Sequence, residues 1–233
     1  MDKEKKLIDG LRGIIPSLHT PFCNQNKIDI PSLKNLIDHT ISTGCSGMLV
    51  GAVAGENSSL SFEEKMMIID ECSSYNKNRI PIIISCSAKN QKDRVALAKS
   101  AKEAGADWIL CQTPENVSGS ELLQCFNEIA EAGPHNLMIQ DLSWTDNGMS
   151  DEDIMLLFEN INKFRALKIE VLNSGPKYSR ILEATNHQLH LSGGWAIMGM
   201  IEALNRGVHA FIPSTMEIIY NKIYKLFTEN KIE

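Results

Sequence analysis

Lys168 and Glu170 stand two residues apart in the segment Phe164-Arg-Ala-Leu-Lys-Ile-Glu170, so in a β-strand they share one face. Lysine is seldom buried without a partner. Burial disfavours the ammonium form, the condition under which an amine attacks a carbonyl and forms a Schiff base near neutral pH. A carboxylate on the same face opposes this while the two are paired, and is placed to carry a proton once the amine is covalently occupied. A structural ion pair, or a lysine snorkelling to solvent from a strand end, explains the same residues.

A second candidate is Val50-Gly-Ala-Val-Ala-Gly-Glu-Asn57, a small-residue loop whose backbone N–H groups suit a carboxylate or phosphate, or simply make a tight turn. Ser192-Gly-Gly-Trp195, with Gly193, offers the same two readings. Cys86 ends an apolar run without a histidine in motif context and reads as inert. The six cysteines never approach a CxxC spacing and the six histidines form no HExxH, so reduced core thiols are expected, with no metal.

The 233 residues are 43% hydrophobic and 22% charged, the balance of a globular chain. A formal charge of −6 without a basic stripe argues against nucleic acid. No apolar h-region follows Met1-Asp-Lys-Glu-Lys-Lys, and no run approaches the ~18 apolar residues of a membrane span, which predicts a cytoplasmic protein with no membrane partner.

The elements that must position these groups alternate. Eight short apolar runs read as strands: Gly13 to Leu18, Gly47 to Val50, Ile80 to Ser85, Asp107 to Cys111, Asn136 to Gln140, Ala166 to Glu170, Gln188 to Ser192 and Val208 to Ile212. Helical segments lie between them. Ser61-Phe-Glu-Glu64 and Ser150-Asp-Glu-Asp153 resemble capping boxes, Pro31 follows the capping candidate Asp29, and Gly44, Gly105, Gly133 and Gly207 mark helix ends. Eight such units with no linker predict a single-domain α/β fold over residues 1–233, a (β/α)8 TIM barrel rather than an open doubly wound sheet. The first strand carries no Gly-rich fingerprint, so no dinucleotide cofactor is implied. In such a barrel the chemistry sits at the C-terminal strand ends.

Taken in order, the segments resemble the dihydrodipicolinate synthase and N-acetylneuraminate lyase family of class I aldolase barrels. Gly13-Ile-Ile-Pro-Ser-Leu-His-Thr-Pro-Phe22 is similar to the family's opening strand, and Gly55-Glu56 to the end of its Gly-Thr-Thr-Gly-Glu carboxylate loop. Ala104-Gly-Ala-Asp107 resembles the entry to strand four, Leu167-Lys-Ile169 the strand bearing the Schiff-base lysine, and Leu191-Ser-Gly193 the stretch after strand seven. The resemblance implies a homo-oligomer, dimer or tetramer, that binds a 2-oxo acid such as pyruvate as an imine on Lys168. It then makes or breaks a carbon–carbon bond or eliminates water, as in dehydration of a 2-oxo sugar acid.

Several of the family's helpers have no counterpart here. Its proton-shuttling tyrosine falls on Ile139, or on Gln140 if the register slips by one, and its paired threonines fall on Val53 and Ala54. The strand-four tyrosines fall on Glu115 and Asn116, and the arginine that often binds a second carboxylate falls on Trp144. The departures argue against dihydrodipicolinate synthase chemistry itself, and leave Glu170 and Asp141 as candidate proton carriers. They also admit a non-catalytic barrel that binds a small oxo acid. The family's C-terminal helical bundle is expected to be absent.

Overall fold

The computed structural model describes residues 11–195 and 199–231, so the N-terminal charged stretch and parts of the expected single domain lie outside the described residues. Strands and helices alternate along the chain: β1 (Gly13–Ile14), α1 (Ile30–Ser42), β2 (Met48–Val50), α2 (Phe62–Asn76), β3 (Ile82–Ser85), α3 (Gln91–Glu103), β4 (Trp108–Gln112), α4 (Gly119–Ala132), β5 (Asn136–Leu142), α5 (Asp151–Asn160), β6 (Phe164–Glu170), α6 (Ser174–Ala184), β7 (His190–Gly193), α7 (Met200–Asn205), β8 (Ala210–Phe211) and α8 (Glu217–Thr228). All strand pairs are parallel, in the order β1-β8-β7-β6-β5-β4-β3-β2. Pro16 has no N–H to give, and β1 ends just before it. The chain nevertheless closes the sheet there: Leu49 N–H donates to Pro16 O at 2.9 Å and Leu18 N–H to Leu49 O at 2.8 Å. The result is a (β/α)8 barrel.

The helix boundaries follow local chemistry. Asp29 accepts the Ser32 N–H at the start of α1, and Ser61 and Glu64 form a complete reciprocal box at α2. At α5 only half the expected box forms: Ser150 Oγ accepts the Asp153 N–H, while Asp153 turns away to accept Gly119 N–H at 2.8 Å. Gly44, Gly105 and Gly207 have positive φ as expected of helix-ending glycines. Gly133 does not, and is needed for space instead, since a Cβ there would overlap the Ile109 side chain.

Alternation along each strand divides the apolar residues into two cores. Leu137, Ile139, Leu167, Ile169 and Leu191 face the helices. Ile15, Leu49, Ile83, Trp108, Leu110, Met138, Ala166 and Ala210 fill the barrel. Above this apolar interior, toward the C-terminal strand ends, the inward positions turn polar. Cys45, Cys72, Cys86 and Cys111 are buried and Cys125 partly so, but Cys23 is exposed, against the expectation of core thiols; all six are free.

Candidate active site

Strand β6 continues the inward parity of Ala166 to Lys168 and Glu170, and β5 continues that of Met138 to Gln140 and Leu142. The strands run with Gln140 beside Lys168 and Leu142 beside Glu170, and on the other side Ser192 of β7 beside Lys168. Both ionisable side chains are at most 10% exposed, and Lys168 Nζ lies 2.7 Å from Glu170 Oε2. Glu170 also accepts Gln140 Nε2–H at 2.6 Å and the Trp195 backbone N–H at 3.0 Å. A buried carboxylate with three donors is fully satisfied. Burial pushes its pKa up, yet the Lys168 charge and the hydrogen bonds from Lys168, Gln140 and Trp195 outweigh this and hold it below the ordinary value. Gly194 makes the arrangement possible, because a Cβ at that position would overlap the Glu170 carboxylate.

Lys168 and Glu170 open onto a cavity of about 190 Å³ at the C-terminal end of the barrel. Val53 and Ala54 form one side of it. They sit in a 3₁₀ turn, Val53–Gly55, in which the Gly55 N–H is spent on Ala52 O and the Glu56 N–H on Val53 O. The Val53 and Ala54 N–H groups are given no such partner and remain available to a carboxylate. Gly55 lies behind them, buried, with its carbonyl accepting Thr20 Oγ1–H at 2.7 Å. Trp144 and Trp195 also line the cavity and stack on each other, ring centroids 5.5 Å apart and planes 14° from parallel.

Three sequence candidates face elsewhere. Ile139 is on the helix-facing side of β5, so the position beside Lys168 belongs to Gln140. Asp141 shares that outer face. Its carboxylate is 2.6 Å from Lys177 Nζ of α6 and accepts the Met149 N–H at 2.8 Å, while Lys177 also donates to the Asn147 and Met149 carbonyls. It therefore clamps the β5–α5 loop onto α6 and does not reach Lys168, contrary to the expectation of Asp141 as a proton carrier there. Gly193 serves packing: a Cβ there would press on Phe211 and the Tyr178 hydroxyl, on the helix side.

Sequence reasoning did not single out Ser17, and named Ser192 and Trp195 only as the ends of a small-residue loop. The Ser17 and Ser192 hydroxyls are buried, and Ser17 lines the cavity. Parity would have found both, since Ser17 lies two residues beyond inward Ile15 and Ser192 beside Lys168. Trp195 had no such signal, for it lies outside the strand with φ +50°, a conformation that no periodic pattern encodes.

The dihydrodipicolinate synthetase family model matches residues 10–232, nearly the whole chain. The chain belongs to this family. Among curated members, the 4-hydroxy-tetrahydrodipicolinate synthase of Neisseria gonorrhoeae is 29% identical over 188 residues, covering 76% of this chain and 65% of that protein. The same-named protein of Bacillus subtilis is 34% identical over 120 residues, 51% of this chain and 41% of its own. The matches thus span just under two thirds, or less, of those relatives. Among solved structures, a Clostridium difficile protein, CdNal, in complex with mannosamine is 26% identical, with TM-score 0.86 over 95% of this chain and 77% of that one. A catalytic-lysine mutant of Ruminococcus gnavus sialic acid aldolase superposes with TM-score 0.89 at 18% identity, over 97% of this chain and 75% of that one, which supports the barrel fold. The curated relatives named here are synthases, and no helix among the described residues is long and apolar enough to cross a membrane.

Proposed function

We propose that this chain forms a Schiff base between Lys168 and a 2-oxo acid of the pyruvate type, and makes or breaks a carbon–carbon bond through the resulting enamine. The observation that carries this reading is the buried Lys168 amine, 2.7 Å from the Glu170 carboxylate, opening onto a small cavity. Proton transfer inside the pair yields a free amine and a carboxylic acid. The amine attacks the 2-oxo carbon while the Val53 and Ala54 N–H groups hold the substrate carboxylate. Glu170 then protonates the departing hydroxyl, which leaves as water, and the iminium remains.

Glu170, now a carboxylate beside the iminium, takes a proton from C3 to give the enamine. Its environment suits this cycle. In the neutral enamine the charge that lowers its pKa is gone, so burial favours the acid; in the cationic iminium the carboxylate is favoured again. Gln140, which occupies the inward position expected of the family's tyrosine, holds the carboxylate but has no acidic proton to pass on. Trp144 in place of an arginine is unsuited to a second carboxylate, so the activity is not that of dihydrodipicolinate synthase itself. A homo-oligomer belongs to this reading through family resemblance alone, and cytoplasmic location is carried over from the sequence reading.

The competing reading, a non-catalytic oxo-acid-binding barrel, draws on the full satisfaction of Glu170, which holds Lys168 as an ion pair. Treating the protein with pyruvate and borohydride decides between them. A reduced pyruvyl adduct on Lys168, found by peptide mass and lost in Lys168→Ala, is expected. Absence of any adduct with a panel of 2-oxo acids would leave only the binding barrel.

A further inference from the structure

The cavity beyond Lys168 has a chemistry of its own. Lys168 is the only cation among its described lining residues, and Glu170 already neutralises it. A second anionic group on a ligand would lose its water there with nothing to pair with, which disfavours it. Leu142 and Ile212 add apolar surface, and the stacked Trp144 and Trp195 supply a broad aromatic wall. Trp144 is 68% exposed, an unusual position for a large aromatic side chain that a stacked partner holds in place. The Trp195 indole N–H is buried and has no hydrogen-bond partner in the structure. At about 190 Å³ the cavity falls below the roughly 300 Å³ at which drug-sized ligands begin, so its occupant is small.

The geometry points to a 2-oxo acid carrying a single aromatic ring as the ligand of this site: the oxo-acid end at Lys168 and the Val53–Ala54 turn, the ring against the Trp144–Trp195 wall. A ring substituent that accepts one hydrogen bond would satisfy the Trp195 indole. This deepens the Schiff-base reading and rests on it for the oxo-acid end, but the aromatic wall acts whether or not the imine forms. Trp144 and Trp195 are then specificity-determining residues, selecting against both dicarboxylates and the many hydroxyls of a sugar acid.

A matched pair of probes separates the two ideas. 2-Oxo-4-phenylbutanoate and 2-oxoglutarate share the oxo acid and a two-carbon spacer, and differ only in ending on a phenyl ring or a carboxylate. Equilibrium binding is read from the tryptophan fluorescence of the full chain, and imine formation separately by borohydride trapping. The phenyl compound is expected to bind at least about tenfold more tightly, the scale of discrimination a hydrophobic pocket supplies. Trp144→Arg should reverse that preference, and Trp144's exposure makes the substitution compatible with folding. Equal or tighter binding of 2-oxoglutarate to the unaltered protein, binding of neither probe, or an unchanged ratio in Trp144→Arg would each overturn the aromatic site. Failure of trapping alongside a retained phenyl preference would remove the Schiff-base reading and keep the aromatic site.

Discussion

Glu170 holds Lys168 with one carboxylate oxygen and the main chain of Trp195 with the other. Oε2 is 2.7 Å from Lys168 Nζ and Oε1 accepts the Trp195 N–H at 3.0 Å. One buried side chain thus joins Lys168 to the residue that starts the aromatic wall. The proposed role of proton carrier and the role of structural anchor make different predictions.

If Glu170 moves the proton, Glu170→Gln keeps a side chain of the same shape and loses the base. Turnover should fall by about 10² to 10⁴, the usual contribution of a general acid–base group, while borohydride still traps the oxo acid on Lys168. Should steady-state kinetics show turnover intact and thermal denaturation show lost stability, Glu170 is an anchor only.

Asp141 gives the contrasting outcome. Its partner Lys177 is almost wholly buried, so Asp141→Asn leaves a buried ammonium with its counter-charge removed. The expected cost is about 3–5 kcal/mol of stability, a fall in Tm of roughly 10 °C for a chain this long, with trapping at Lys168 retained below that temperature. Calorimetry on the variant checks the first, and a variant of unchanged Tm that has lost turnover would return Asp141 to the chemistry.

The contrast between these two carboxylates explains how much of the site was legible. Spacing of two on a strand placed Lys168 and Glu170 together, and the same rule applied to β5 separates Asp141 and Ile139 from Gln140. Eight strand–helix units were readable because a parallel barrel buries short apolar runs and its helices carry explicit caps. Parity gave no answer across Phe164, which packs with the helix-facing residues although it is two positions from inward Ala166, because the β5–β6 register shifts between Leu137 and Met138. Nor could it foresee Gly133, whose requirement is an approach to Ile109 made only in the folded chain.

Gly194 offers a test of the Glu170 geometry that leaves every ionisable group in place. Its Cα faces the carboxylate so closely that Gly194→Ala must displace Glu170 from Lys168. Turnover should drop at least about tenfold, and the acidic limb of its pH profile should move, since the three contacts that lower the Glu170 pKa are disturbed together. A normal pH–rate profile in this variant would show that the observed carboxylate position is not the working one.

At the opposite end of the barrel, His190 and His209 stack with ring centroids 4.9 Å apart. Burial is the main cause that drives their pKa values down, to about 3 for His190, with the His209 charge next, and to about 4 for His209, with Arg12 next. Geometry gives the reason for neutrality. His190 Nε2–H donates to Leu11 O, so its buried Nδ1 is bare, and His209 Nδ1 accepts the Leu191 N–H at 2.9 Å and would lose that bond on protonation. Because both folded pKa values lie below the unfolded value of about 6.5, the unfolded chain binds more protons between them, and stability rises with pH through that window. Their contribution is complete above about pH 6.5 and is lost as pH falls toward 4, at about 1.4 kcal/mol per pH unit for each histidine. His209→Asn keeps an acceptor for Leu191 N–H and removes the titration, so urea unfolding at successive pH values should show a slope shallower by about that amount. Carboxylates that titrate in the same range are common to both proteins and cancel in the difference. An identical slope in the variant would mean that His209 is protonated in the folded barrel and that its stacking on His190 does not exclude charge.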